Sequence, residues 1–232
     1  MRAMKLLCLI ALVFSLFFVG ENFTFASDEE EITLTPEQQK EVEEAKKRTQ
    51  EVLQNSDDEI DTEEVEKIAK LKGVSSDIYS QDNSTSAVGT YGDILVTLST
   101  SSSDSSAWAG GHAGVVSEVS GYVVEIFGNR GKLNGVRHWK NNWNTRYSHV
   151  RGLYVKGASG SEYSYAASYA RNKIGKSYNY NFFNKKTTKR FYCSQLAWRA
   201  WYNKGYDLDN GGAVWPVNLI DSSKTGVFYK KG

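Results

Sequence analysis

Residues 112–127, His-Ala-Gly-Val-Val-Ser-Glu-Val-Ser-Gly-Tyr-Val-Val-Glu-Ile-Phe, decide the fold class. Their two valine-rich halves flank Ser120-Gly121, and a short polar pair with glycine between two such runs favours a tight turn. We therefore predict an antiparallel hairpin. Residues 93–98 and 152–155 are shorter runs of the same kind, so the hairpin is expected to belong to a small antiparallel sheet.

Two stretches that follow these strands are predicted to be helical. Residues 161–174 carry apolar side chains three and four positions apart, and residues 192–203 read as the last helix. A group of strands followed by helices indicates an α+β fold, in which a small antiparallel sheet is packed with helices. Trp215-Pro216 is predicted to end the organised part of the chain.

The first 26 residues have the layout of a secretory signal peptide. Two basic residues precede an apolar run, and Thr24-Phe25-Ala26 offers a small-residue cleavage site. An uncleaved membrane anchor is the alternative, because hydropathy separates the two poorly. We expect a secreted or cell-envelope protein that has no transmembrane segment after cleavage.

Charge divides the rest of the chain into two regions. Residues 27–88 hold 18 acidic and 7 basic residues, whereas residues 89–232 hold 8 acidic and 19 basic ones. We predict an acidic helical segment over residues 27–74 and a linker over residues 75–88, which are rich in Ser, Asp and Asn. The acidic helices lack aromatic side chains, so they cannot build a core alone.

Capping patterns set the helix boundaries within the acidic segment. Thr35 and Gln38 form a capping box at the start of the first helix. Asp61 and Glu64 repeat that spacing at the start of the second, and Gly73 supplies its stop.

Cys193 is the only cysteine of residues 27–232, because Cys8 falls in the predicted signal peptide. A single thiol cannot form an internal disulfide, so Cys193 is either buried packing or a chemical group. It opens the helical stretch Cys-Ser-Gln-Leu-Ala-Trp-Arg-Ala-Trp, and the dipole and unpaired N–H groups of a helix N-terminus favour a negatively charged sulfur.

His112 and Glu125 supply the other groups that a cysteine nucleophile needs. His112 heads one strand of the predicted hairpin and Glu125 lies on the other, and strands about 5 Å apart bring a carboxylate within reach of an imidazole. The structural alternatives are a buried histidine held by packing and a solvent-facing position for Glu125 in an alternating strand. Spacing alone leaves both interpretations open.

Four motifs then occur in one order along the chain: Gly92-Asp93-Ile94, residues 111–116, Val124-Glu125-Ile126 and residues 191–198. Together they resemble the circularly permuted branch of the NlpC-type papain-like peptidases, the YiiX/YebB-like hydrolases. In that branch the histidine strand and the glutamate strand precede the cysteine helix. The resemblance implies a papain-like cysteine hydrolase domain over residues 89–232 that uses no cofactor.

The same resemblance implies roles for individual residues. Cys193 corresponds to the nucleophile, His112 to its base and Glu125 to the group that orients the base. Gly175-Lys176-Ser177-Tyr178 is similar to a family motif whose tyrosine points into the site, so Tyr178 is the expected oxyanion donor, with Tyr180 as competitor. The sequence departs from the pattern at Gln195, where relatives often carry Glu.

The remaining histidines and the basic cluster point to less specific roles. His138 and His149 are expected at the surface or in packing, and no ligand spacing predicts a metal site. The basic cluster, which precedes the candidate nucleophile, consists of Lys185, Lys186, Lys189 and Arg190. We interpret it as a solvated loop or an anionic-ligand surface, and we expect no nucleic-acid partner.

The substrate class stays open among three interpretations. The first is cleavage of an amide bond in cell-wall peptides through a thioester. The second is a thiol-dependent lipid acyl hydrolase or acyltransferase, as in the lecithin retinol acyltransferase group, although the Asn-Cys-Glu-His signature of that group is absent. The third is a catalytically inert wall-binding module. We also expect the acidic helices to dock over the basic, aromatic face and to inhibit the site; a simple spacer role is the alternative.

Overall fold

The computed structural model describes residues 24–26, 31–54, 58–80, 87–99, 110–209 and 211–232. The helices are α1 (Pro36–Gln54), α2 (Thr62–Lys72), α3 (Trp143–Arg146), α4 (Gly160–Arg171), α5 (Cys193–Tyr202) and α6 (Pro216–Asp221). The strands are β1 (Thr24–Ala26), β2 (Glu31–Thr33), β3 (Ile94–Thr97), β4 (His112–Val116), β5 (Tyr122–Phe127), β6 (Gly135–Lys140), β7 (Val150–Val155), β8 (Ser177–Tyr178), β9 (Arg190–Phe191) and β10 (Thr225–Lys231).

The predicted signal peptide lies outside the described residues except for the three of β1. Within the part of the chain that the structure describes, no helix is long and apolar enough to cross a membrane.

A six-stranded antiparallel sheet forms the centre of the fold, in the order β10-β7-β3-β4-β5-β6. The predicted hairpin is β4–β5, in which Val116 pairs with Val123 and Gly114 with Glu125. Helices α4, α5 and α6 pack on the sheet, and α5 lies chiefly against β4. The fold is therefore α+β, as predicted.

The organised part of the chain does not end at Trp215-Pro216. Pro216 begins α6, because proline suits the first helical position, and β10 then returns along β7 as an edge strand. Gly152 in β7 makes room for the Phe228 ring, since a Cβ there would lie 2.5 Å from it. The prediction failed because this strand pairs with residues about 75 positions earlier in the chain.

Both capping patterns of the N-terminal segment are formed as predicted. The Thr35 amide donates to Gln38 Oε1 at 3.0 Å and the Gln38 amide to Thr35 Oγ1 at 3.3 Å. Asp61 caps α2 by accepting the Glu64 amide, and Gly73 ends the helix with φ +66°.

The two N-terminal helices pack on the core of the sheet domain. Their apolar stripe, which is buried in the common hydrophobic cluster, consists of Val42, Val52, Val65, Ile68 and Ala69. In the predicted linker, Tyr79 is buried against Phe228, with ring centroids 4.7 Å apart. The boundaries at residues 74 and 88 stay predictions.

Three ion pairs among the described residues join the segment to the domain: Arg48–Asp221, Asp58–Arg151 and the fully buried Lys72–Asp93. Only the second of them puts the acid on the segment, and none uses the basic cluster. Attraction between an acidic segment and a basic domain therefore does not account for the ion pairs that hold the described part of the segment on the domain.

Candidate active site

Cys193 begins α5, and two side chains fix the start of this helix on the sheet. Gln195 Oε1 accepts a hydrogen bond of 3.0 Å from the amide of Tyr192, the residue before the helix, and so caps the helix N-terminus at Cys193. Ser194, the next residue, donates its hydroxyl to the Val214 carbonyl at 2.6 Å. The Cys193 thiol thus lies at the positive end of a rigid helix and is only 3% exposed.

Gln195, the departure from the family pattern, is fully buried and makes contacts that only an amide can make. Its Nε2 donates to the carbonyls of Lys185 and Thr187, each at 3.0 Å, while its Oε1 also accepts Asn179 Nδ2 at 3.1 Å. A carboxylate has no hydrogen to donate to those two carbonyls. The glutamine therefore anchors the loop that precedes the cysteine.

His112 begins β4, and aromatic rings hold its imidazole. The ring stacks nearly parallel on Phe127, at a centroid distance of 5.4 Å, and on Trp143, at 5.6 Å. The side chain is 4% exposed. Packing of this kind restricts the imidazole to one orientation.

The Cys193 thiol and the His112 imidazole lie close enough for each to stabilise the charged form of the other. Burial alone lowers the pKa of His112, but the contacts with Cys193 and then with Glu125 outweigh it and raise that pKa to about 9. Burial likewise raises the pKa of Cys193, but His112 and the backbone N–H groups of Ala113 and Ser194 lower it below its ordinary value. Both shifts favour a thiolate–imidazolium pair.

Glu125 is fully buried and faces His112, so the solvent-facing alternative is wrong. Its Oε1 lies 3.3 Å from His112 Nε2, within ion-pair range, although the two atoms are not aligned for a hydrogen bond. Gly114, its partner in β4, leaves room for the side chains of Val123 and Glu125, because a Cβ there would lie 2.8 Å from Val123 Cγ2 and 3.1 Å from Glu125 Cγ.

Arg146 completes this arrangement and was not predicted. Its Nη2 donates to Glu125 Oε1, the oxygen that also faces His112. The guanidinium lies over the rings of Tyr147, at 4.7 Å, and Trp143, at 5.6 Å. These residues belong to or adjoin the four-residue helix α3, and no pattern in the sequence marks them.

Tyr178 lies near this cluster, in the short parallel pair β8–β9 that precedes Cys193. Its ring packs on Gly128, where a Cβ would lie 2.9 Å from it, and on the ring of Tyr180 at 4.8 Å. The Tyr180 hydroxyl is engaged by Asn129: it donates to Oδ1 at 3.1 Å and accepts the amide at 3.2 Å. The choice of oxyanion donor stays a prediction.

His138 and His149 contact hydroxyl groups instead of Cys193. His138 Nε2 lies 2.9 Å from Ser117 Oγ, and His149 Nδ1 lies 3.2 Å from Ser99 Oγ. Within the described ranges, no group of three or more His, Cys, Asp or Glu side chains could hold a metal ion. Lys185, from the basic cluster, forms an ion pair with Asp209 at 2.7 Å.

Comparison with known families gives one match. The model described as permuted papain-like amidase enzyme, YaeF/YiiX, C92 family matches residues 70–212, more than half of the chain. Comparisons with curated proteins and with solved structures give no significant match. The chain therefore belongs to the permuted papain-like amidase family and is a cysteine hydrolase.

Proposed function

We propose that this protein is an exported cysteine amidase that cleaves an amide bond in cell-wall peptides. The observation that carries the proposal is the buried Cys193–His112 pair, in which each group favours the charged form of the other, with Glu125 3.3 Å from the imidazole. A nucleophile, a base and a group that orients the base are the parts that acyl transfer through a thiol requires.

In the proposed reaction, the Cys193 thiolate attacks the amide carbonyl carbon and forms a tetrahedral oxyanion. The Cys193 backbone N–H, with Tyr178 as the expected second donor, stabilises that oxyanion. The His112 imidazolium then protonates the amide nitrogen, the C–N bond breaks, and the amine leaves. A thioester remains on Cys193.

Water completes the cycle. The neutral His112 imidazole takes a proton from a water molecule that attacks the thioester carbonyl, and the C–S bond breaks to release a carboxylic acid. Glu125 stabilises the imidazolium and holds the ring, while Arg146 holds Glu125. Because Glu125 is fully buried, its charge acts on the ring at low dielectric.

Export rests on the N-terminal residues, which resemble a signal peptide, and the peptide substrate is preferred to a lipid because Cys193 does not stand in an Asn-Cys-Glu-His sequence. Purified peptidoglycan and phospholipid vesicles would be digested in parallel with the protein and with Cys193→Ala, and the products identified by mass spectrometry. New amine and carboxyl ends in the peptides support the amidase. Released fatty acid supports the lipid alternative, and no product from either supports the inert module.

The N-terminal segment is also proposed to inhibit this site in cis. Thr49 of α1 lies against Gly110, close to His112, and Glu41 of the same helix contacts the loop before α6. Deleting residues 27–88 would also remove Lys72 and leave the buried Asp93 without its cation, so point variants are the better test.

Arg48 offers such a point variant, because its guanidinium holds Asp221 of α6 through two hydrogen bonds of 2.7 and 2.8 Å. Arg48→Ala should speed alkylation of Cys193 by iodoacetamide, since α1 would detach more often. Lys47→Ala, whose described ion pair with Glu51 stays within α1, is the matched control. Equal alkylation rates in both variants would contradict inhibition by α1.

A further inference from the structure

The loop at residues 211–215 holds a carboxylate of the chain itself. The Ala213 amide donates to Glu41 Oε1 at 2.7 Å, and the Trp215 indole N–H donates to the same oxygen at 3.2 Å. The Gly212 amide donates to Glu41 Oε2 at 3.2 Å. Three N–H groups thus converge on both oxygens of one carboxylate, and we call this set of donors the carboxylate cradle.

The carboxylate cradle is fastened to the residues on both sides of the candidate nucleophile. Val214, in its middle, accepts the Ser194 hydroxyl at 2.6 Å and donates its amide to the Tyr192 hydroxyl at 2.9 Å. Ser194 and Tyr192 are buried. Because they flank Cys193, the cradle is held at a defined position beside the cysteine helix.

Contacts within the domain help to set the shape of the cradle. A Cβ at Gly212 would lie 2.7 Å from Glu41 Oε2, so only glycine lets a carboxylate come this close. The Trp215 ring is packed edge-on against Phe182 and Phe183, at 5.8 and 6.3 Å, which fixes the direction of its N–H. Of the groups involved, only Gly212 lies within residues 70–212, the part that matches the family; Glu41, Ala213 and Trp215 lie outside it.

We infer that the carboxylate cradle is a substrate subsite, which binds a free carboxylate of the peptide, and that Glu41 occupies it as an internal competitor. That the bound carboxylate belongs to a substrate rests on the proposed function; that the cradle can bind a carboxylate does not. The specificity that follows is for peptides that bear a carboxylate near the scissile amide. A latch that only holds α1 in place is the competing explanation.

The test uses the full chain and reads binding without catalysis. Glu41→Ala empties the cradle, and Glu44→Ala is the matched control, because Glu44 lies on the same helix and its described ion pair is with Lys40. Nitrogen-15 NMR would follow the indole N–H of Trp215 and the amides of Gly212 and Ala213. The probes are N-acetylalanine, which has a free carboxylate, and N-acetylalanine amide, which has none.

N-acetylalanine should shift these three resonances saturably in Glu41→Ala and bind at least about tenfold more weakly in Glu44→Ala, where Glu41 competes. The amide probe should shift neither protein. Adding Trp215→Phe to Glu41→Ala keeps an aromatic ring at position 215 and removes the indole N–H donor, so the affinity for N-acetylalanine should fall about tenfold.

Equal shifts with the two probes, or none with N-acetylalanine in Glu41→Ala, would overturn the inference. Should Glu41→Ala fail to fold, Glu41→Ser takes its place, since its side chain is also too short to reach the cradle. A cradle that binds N-acetylalanine in a protein that digests no peptidoglycan would sustain the inference while the proposed function fails. Amidase activity without binding would do the reverse.

Discussion

Glu125→Gln removes one negative charge from a fully buried position and keeps the shape of the side chain. The pKa of His112 is raised to about 9 by Cys193 first and by Glu125 second, against the opposing effect of burial. Loss of the smaller of these two contributions should lower that pKa, and each tenfold change in the proton affinity of His112 corresponds to about 1.4 kcal/mol. The thiolate–imidazolium pair should then persist over a narrower pH range.

The same substitution should also destabilise the fold, because Arg146 loses its anionic partner. Breaking a fully buried ion pair costs roughly 3–5 kcal/mol. The side chain of Arg146 is 20% exposed, so water screens part of its charge, and we expect a loss of about 2–3 kcal/mol.

The part of this loss that is due to His112 has a defined pH dependence. The folded-state pKa of His112 lies above its ordinary value, so the charged imidazole stabilises the fold fully below about pH 6.5. That contribution disappears as the pH rises through about 9. The difference in stability between the two proteins should therefore shrink toward alkaline pH.

Proton NMR titration of the imidazole measures the pKa of His112, and urea unfolding at several pH values measures the loss of stability. Glu118→Gln is the matched control, because Glu118 follows β4 and its carboxylate pairs with Arg171 at the surface. It should cost less than about 1 kcal/mol and leave His112 unchanged. A His112 pKa that stays near 9 in Glu125→Gln, with a stability loss no larger than the control's, would refute the coupling of Glu125 to the ring.

Three other substitutions test the supports of the site. Gly114→Ala should push Glu125 away from the imidazole and lower amidase activity, with an overpacking cost of about 1–3 kcal/mol in urea unfolding; unchanged activity would contradict the packing argument. Gln195→Glu should lower the melting temperature, since two carbonyls would face a carboxylate at a fully buried position. Burial raises the pKa of such a carboxyl, so the loss should shrink as the pH falls and the group takes up a proton; a pH-independent loss would argue against this cause. Lys72→Met should lower the free energy of unfolding by roughly 3–5 kcal/mol, because it leaves Asp93 buried without a cation. Lys72→Met combined with Asp93→Asn should recover most of this loss; equal stability of the single and double variants would show that the broken ion pair does not cause it.

Local patterns predicted the elements whose cause is local. The two N-terminal capping patterns, the β4–β5 hairpin and the start of α5 depend on residues within a few positions of one another, and all of them are formed. The approach of Glu125 to His112 followed from the hairpin. Gly114 pairs with Glu125, and His112 lies two positions before Gly114, so the side chains of His112 and Glu125 are on the same face of the sheet.

Long-range packing accounts for what the sequence did not predict. Arg146 reaches Glu125 only because the chain between β6 and β7 folds back over β5, and α3 is too short to leave a periodic pattern. The helix predicted over residues 161–174 ends at Arg171, and Tyr165 and Ile174 are exposed, whereas Tyr163 is buried and bonds the Val155 backbone through its hydroxyl. Occupation of the carboxylate cradle by Glu41 likewise depends on α1 meeting a loop about 170 residues away.

The central claim is that Cys193 and His112 form a thiolate–imidazolium pair. The rate of alkylation of Cys193 by iodoacetamide, measured against pH in the unmodified protein and in His112→Ala, tests it most directly. Because the thiol is only 3% exposed, the shape of the profile is informative and the absolute rate is not. With such a pair, the rate should rise below the ordinary thiol pKa of about 8.5 in the unmodified protein and only at or above it in His112→Ala. Profiles that coincide, both rising near pH 8.5, would contradict it.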